Sequence, residues 1–203
     1  MIWFTSDTHF NHLMVAQVRG FETAEKHDET IIANWNSVVM PDDTVWHLGD
    51  VGLGRWSTLR PKVCELNGLK HLITGNHDAT FPGARDSHKH QLEWMDTFLS
   101  VQAYARRRIC DEQVLLSHFP YSGDHSAEDR YTQYRLRDEG LYLLHGHTHS
   151  WKKIGLPSFR VNIFGGETQR RGRMIHVGLD AWDFKPVSLG TIEKTIRKDV
   201  SHG

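Results

Sequence analysis

Five short apolar runs in this chain each stop at an aspartate, asparagine or histidine. That recurrence limits the fold more than any other feature. Ile2-Trp3-Phe4 gives way to Thr5-Ser6-Asp7-Thr8-His9, and Val45-Trp46-His47-Leu48 to Gly49-Asp50. Leu72-Ile73-Thr74 runs into Gly75-Asn76-His77-Asp78, and Val114-Leu115-Leu116 into Ser117-His118. Leu141-Tyr142-Leu143-Leu144 leads through His145 and Gly146 to His147-Thr148-His149. An apolar run that halts at glycine and polar residues reads as a buried strand reaching the edge of a sheet. Residues i and i+2 of an extended chain face the same way. The spacing therefore predicts a shared target for Asp7 and His9, and another for His147 and His149. Neutral imidazole is the commonest metal ligand, and Gly146 removes a side chain where backbone and target must come close. A site beyond the carboxyl ends of strands is the usual layout of sheets joined by helices.

The intervening segments supply those helices. Residues 10–20 read as loop. Thr23 to Val39 reads as a helix capped by Thr23, with Ile31, Trp35 and Val38 on one face. Trp56, Leu59, Val63 and Leu66 form a second stripe, with Pro61 in its first turn and Asn67-Gly68 at its end. Residues 79–89 read as loop and 90–99 as a short helix with Leu92, Met95 and Leu99 inward. Residues 101–118 form a hairpin turning at Asp111-Glu112, and 121–140 a polar surface excursion. Strands are expected at 160–164 and 174–178, then a helix over 188–198 with Leu189, Ile192 and Ile196 inward. Alternating strand and helix favours an α/β fold.

At 203 residues one domain, 1–203, is the default. A net charge of −1 gives no extended nucleic-acid footprint. The 2 cysteines form no zinc pattern or disulfide framework. No basic leader and no apolar run of ~20 residues is visible, so neither export nor a membrane span is expected, and the cytoplasm is the expected compartment. Histidine is abundant at 15 residues.

Taken in order, the polar ends read D-x-H, G-D, G-N-H-D, H and G-H-x-H. This resembles the calcineurin-like metallophosphoesterase superfamily over residues 7–149, and the short chain with its closing VGLDAWDFKPVSL resembles the small bacterial or phage-type members. The resemblance implies a four-layer α/β/β/α sandwich of two mixed sheets. It implies two divalent metal ions, one on Asp7, His9 and His149, the other on Asn76, His118 and His147, with Asp50 bridging. Two cations ~3.5–4 Å apart can hold a nucleophile, lower its pKa and neutralise developing charge. The N/O ligand set suits Mn²⁺, Fe, Zn²⁺ or Ni²⁺, with Mn²⁺ favoured. His77 becomes the group that stabilises the transition state or protonates the leaving oxygen. Asp78 could accept a hydrogen bond from its ring. The implied reaction is in-line attack of a metal-bridging hydroxide on a phosphate ester. With little room for a cap domain, a phosphodiester is favoured over a monoester, and a nucleotide or nucleic-acid end is a candidate substrate.

Other readings fare worse. Any single member of the set is more simply a capping or core residue, but seven at five strand ends are not. His47 and His145 read as structural neighbours and His12 as a surface residue. Tyr121, Arg130, Tyr131, Tyr134, Arg135 and Arg137 are candidate substrate contacts, Tyr134 and Arg135 foremost, because arginine and aromatics can pair with and stack on a nucleotide. Arg106-Arg107-Arg108 reads as a solvated strand face and Arg170-Arg171-Gly172-Arg173 as a turn, ahead of a phosphate or nucleic-acid contact. A protein-interaction scaffold on the same fold is the alternative of a different class; it would show lost ligands, and none is missing. A metallo-β-lactamase site fails because Ser150 and Trp151 stand where Asp and His are needed. A structural zinc site would call for cysteine.

Overall fold

The computed structural model describes residues 1–155, 159–161, 167–169 and 173–201. Among these residues, eleven strands and five α-helices follow in chain order: β1 Ile2–Thr5, α1 Leu13–Val18, α2 Ala24–Asn36, β2 Thr44–His47, α3 Trp56–Glu65, β3 Leu69–Ile73, α4 Ser87–Met95, β4 Ser100–Gln102, β5 Tyr104–Ile109, β6 Glu112–Ser117, β7 Tyr142–His145, β8 Phe159–Val161, β9 Glu167–Gln169, β10 Met174–His176, β11 Val187–Ser188 and α5 Leu189–Ser201. One sheet has the order β11-β1-β2-β3-β4, the other β10-β7-β6-β5, and β8 pairs with β9. Both main sheets are mixed. In the first, β1 to β4 run parallel and β11 is antiparallel. In the second, β10, β7 and β6 run parallel and β5 is antiparallel.

Strand alternation decides which side chains meet. Phe4, Trp46 and Ile73 leave the first sheet toward Val114, Leu116 and Leu144 of the second. Val45 and Leu72 point the other way, onto Ile31 and Trp35 of α2, Leu59 and Val63 of α3 and Trp94 of α4. Helix α5 adds Ile192 and Ile196, both fully buried, to the core between the sheets. This is the α/β sandwich of two mixed sheets that the motif order implied. Each large apolar side chain taken fully out of water contributes about 1.5–3 kcal/mol.

Several local expectations are corrected. Residues 13–18 form α1 rather than loop; the helix is too short for periodicity to reveal, and the His12 ring accepts the Val15 N–H at its start. Helix α2 has the expected Thr23 cap but ends at Asn36. Pro61 lies mid-helix in α3, where its ring supplies no N–H for the bond to Ser57. Helix α4 presents Trp94, not Leu92 or Met95, to the core; Leu92 is 84% exposed and Leu99 57%. The indole of Trp94 stacks on Trp56 at 4.4 Å and buries more area than a leucine could. The hairpin turns at Cys110-Asp111, both at positive φ, as the type I′ form of a two-residue hairpin requires. Residues 100–102 instead extend the first sheet beside β3. The strand expected at 160–164 is described over 160–161, and residues 170–172 lie outside the described set.

Candidate metal centre

All five strand ends point to one edge of the sandwich. Strands β1, β2 and β3 deliver Asp7 and His9, Asp50, and Asn76 with His77. Strands β6 and β7 of the other sheet deliver His118, then His147 and His149. A backbone bridge between Ser6 and Gly178 ties the segments after β1 and β10 together there.

The residues singled out by spacing come together here, but not by the extended geometry expected. Asp7, His9, Asp50, His147 and His149 are not extended. Their φ values are 61°, 48°, 57°, 68° and 47°, in the left-handed region that non-glycine residues seldom enter. Consecutive turns, not a shared strand face, aim these side chains. Asp7 and His9 do converge, but His147 and His149 part. His149 Nε2 stands 3.2 Å from His9 Nε2, whereas the His147 ring lies against that of His118, 5.2 Å between centroids.

Two groups of donors result. Asp7, His9 and His149 form one; Asp50, His118 and His147 form the other. Asn76 Oδ1 joins the second, 3.2 Å from His118 Nε2. Asp50 Oδ2 faces both, 3.7 Å from His9 Nε2 and 3.4 Å from His118 Nε2. Glycines permit this density. A Cβ on Gly146 would fall 1.8 Å from Ser6 Oγ, and one on Gly75 would fall 2.3 Å from Asp50 Oδ1.

The donor chemistry fits a cation. His118 Nδ1 donates to the Leu48 carbonyl at 2.7 Å. Its Nε2 is then left facing two oxygen acceptors, on Asp50 and Asn76, and needs a proton or a metal between. Burial opposes protonation of His118, yet the Asp50 carboxylate beside it pushes its pKa up to about 9. Burial also works against charge on Asp50 and Asp7, but the neighbouring histidines hold both carboxylates below the usual range. Burial drives His9 well below its ordinary value and takes His147 down to about 4. His149 is shifted upward: burial opposes this, and the Asp180 and Asp7 carboxylates together outweigh it.

His77 is exposed at the mouth of the site. Its ring stands edge-on to His9 at 5.3 Å and to His12 at 5.8 Å. The expected hydrogen bond from that ring to Asp78 is not formed. Both Asp78 oxygens instead accept backbone N–H groups, from Asp50, Val51 and Gly75 at 3.0, 2.9 and 2.7 Å. Asp78 thus staples the loops after β2 and β3; burial, then the nearby Asp50 charge, shifts its pKa upward.

A cavity of about 740 Å³ opens over the site. Arg130 and Tyr131 line it, whereas Tyr134 and Arg135 do not. Tyr134 packs edge-on to Phe81, and Arg135 is bound to the Arg130 carbonyl and the Asp129 carboxylate. His12 is buried and lines the cavity, contrary to the surface placement expected. His47 and His145 are buried beside the donor groups: His47 meets Thr8 Oγ1 at 2.9 Å, and His145 Nδ1 meets the Gly146 carbonyl at 2.9 Å. Arg19, Asp124 and Asp180, which contact the site, carried no expectation. One signal was available for Asp180: Met174 to Val177 is a sixth apolar run that ends in Gly-Leu-Asp.

A two-sheet sandwich with carboxylate, amide and imidazole groups gathered at its strand ends defines a metallophosphoesterase-type architecture. A family model of the calcineurin-like phosphoesterase superfamily domain matches residues 1–165, and the chain belongs to that superfamily. The Gene 66 protein of Mycobacterium phage L5 is 42% identical over 197 residues, 89% of this chain and 86% of its own. The uncharacterized protein MJ1445 of Methanocaldococcus jannaschii is 28% identical over 201 residues, 97% and 92% respectively. Protein AQ665 of Aquifex aeolicus shares the fold, with a TM-score of 0.66 at 24% identity over 96% of this chain and 98% of its own. No helix among the described residues is long and apolar enough to cross a membrane.

Proposed function

We propose that this chain is a metal-dependent phosphoesterase that uses two divalent transition-metal ions, Mn²⁺ foremost, and prefers phosphodiesters. The observation that carries the reading is the place of Asp50, whose one carboxylate faces both donor groups. Asp7, His9 and His149 would hold one ion and Asn76, His118 and His147 the other, with Asp50 shared. Bound there, two such ions supply Lewis acidity, a water of lowered pKa and neutralisation of charge at phosphorus.

The chain's own groups do the rest. Asp50 Oδ1 accepts the backbone N–H of His77 at 2.9 Å, which fixes the backbone that carries this ring relative to the shared carboxylate. The His77 imidazole, open to the cavity, donates a proton to the departing ester oxygen or supports its charge. Such general-acid help contributes typically about 10²–10⁴-fold. Met14, Val18 and Trp151 line the cavity and are exposed by 66%, 84% and 76%. They offer an apolar resting place for the second ester group, which a phosphomonoester lacks. A nucleotide or nucleic-acid end satisfies that description.

The test is turnover of bis-p-nitrophenyl phosphate against p-nitrophenyl phosphate, after chelation and reloading with Mn²⁺, Fe²⁺, Zn²⁺ or Ni²⁺. Faster diester hydrolysis, abolished by chelator, is expected. No turnover of either ester with any of the metals would remove the enzyme reading.

A further inference from the structure

The two histidines that follow Gly146 are each tied back by a carboxylate, and each carboxylate is gripped by an arginine. His149 Nδ1 lies 3.1 Å from Asp180 Oδ2. Arg19 Nε and Nη2 donate to the two Asp180 oxygens, both at 2.8 Å, and Nη2 also reaches the Asp7 carbonyl at 2.8 Å. On the other side, His147 Nε2 lies 3.1 Å from Asp124 Oδ2. Arg130 Nη2 and Nε donate to the two Asp124 oxygens at 3.0 and 3.3 Å. The pattern of arginine, aspartate and histidine occurs twice, once on each side of the site.

We propose that Asp180 and Asp124 are positioning residues that divide His149 and His147 between the two half-sites. An ionised carboxylate only accepts hydrogen bonds. The ring nitrogen facing it therefore carries the hydrogen, and the other nitrogen presents a lone pair. For His149 that lone pair is on Nε2, which points at His9 Nε2 3.2 Å away. For His147 the committed nitrogen is Nε2, so Nδ1 carries the lone pair. One turn of chain thus offers opposite ring nitrogens from residues two apart, and the arginines keep both carboxylates from rotating out of place. The relays differ in exposure. Arg19 is 3% exposed and Asp180 16%, while Asp124 is fully shielded beneath a 39% exposed Arg130.

Asp124, His125 and His147 also lie close enough together to hold an ion. Arg130 Nη2, 3.0 Å from Asp124 Oδ1 and 2.9 Å from His125 Nε2, already places a positive charge there. Orientation of His147, not a third metal, is the role these contacts support.

The inference rests on the two-metal reading above, and the experiment separates them. Chelated, dialysed protein is titrated with Mn²⁺ by calorimetry, and bound metal is counted by elemental analysis. Wild type is expected to take two ions; fewer overturns both the reading and the inference. Asp180→Asn and Asp124→Asn should each weaken one ion by about 10–100-fold, the usual effect of losing a partner behind a ligating histidine. The double variant should weaken both. Asp96→Asn, which breaks the exposed Arg60–Asp96 pair outside the site, should weaken neither. Arg19→Lys and Arg130→Lys keep charge but lose the two-pronged grip, and should give smaller losses at the same ions; they decide the matter if an Asn variant fails to fold. Two tight ions in every variant, or one variant loosening both ions equally, overturns the inference and leaves the two-metal reading standing.

Discussion

Replacing Gly75 by alanine tests whether close packing of backbone sets the place of the shared carboxylate. A Cβ there would lie 2.3 Å from Asp50 Oδ1, 2.5 Å from Asp50 N and 2.9 Å from His118 Cε1. Ordinary contact begins at 3.4 Å, so Asp50 must retreat by about 1 Å. It cannot do so freely. Its N–H is held by Asp78 at 3.0 Å and its Oδ1 by the His77 N–H at 2.9 Å. Overpacking of this kind costs about 1–3 kcal/mol of stability. A displacement of about 1 Å at reacting groups costs about 10²-fold in rate. Chemical denaturation, Mn²⁺ titration and turnover of bis-p-nitrophenyl phosphate measure the three consequences. Gly54→Ala is the control. Its φ of +114° strains any side chain, but its nearest neighbour is the Thr58 hydroxyl at 3.2 Å, away from the donor groups. It should lose about 1–2 kcal/mol of stability and keep both metals and turnover. Wild-type turnover and two tight ions in Gly75→Ala would refute the reasoning.

Three further outcomes follow from the same structure. His77→Ala should keep its metal content by elemental analysis and lose about 10²–10⁴-fold in turnover; loss of metal would instead make the ring a ligand. Trp94→Ala should cost about 3–5 kcal/mol in a denaturation series, while Leu92→Ala, at an 84% exposed position on the same helix, should change stability by less than about 0.5 kcal/mol. Asp28 accepts hydrogen bonds from His27 Nδ1 at 2.8 Å, from the Asn11 N–H at 2.9 Å and from Lys62. Burial opposes its charge, but these bonds hold its pKa below the ordinary 3.8. Its stabilisation is therefore full above that value and is lost as pH falls through the lower folded one. Asp28→Asn should be about 1–3 kcal/mol less stable near neutrality and show a shallower acid limb in melting temperature against pH.

The strand ends were legible because burial and function use different residues there. An apolar run that halts at Asp7, Asp50, Asn76, His118 or His147 marks its own limit. What could not be read was direction. Left-handed φ at Asp7, His9 and Asp50 leaves only a weak trace in residue type, since Asp and His enter that region more often than most residues but still seldom, so an extended geometry was the natural assumption, and it was incorrect. Helix α4 misled for a related reason. Leucine and methionine fit the period, but Trp94 gained more by stacking on Trp56. Asp124 and Asp180 were hidden by distance along the chain. Asp180 is 31 positions from the histidine it meets, and Asp124 is 23 from its own. Asp78 was seen, but its partners were backbone N–H groups, which every residue but proline has and no sequence pattern marks.

The donor set is split between two sheets that meet through the apolar layer of Phe4, Trp46, Leu116 and Leu144. Such a layer resists separation but has no directional bonds to stop a small slide. At the functional edge, the Ser6–Gly178 bridge and the close seat of Gly146 on Ser6 act as the stop. On warming, misalignment of the sheets would scatter the donors while each sheet still kept its own hydrogen bonds. Catalytic competence should therefore fail at a lower temperature than far-ultraviolet circular dichroism, and added Mn²⁺ should close the gap by clasping the two sheets together.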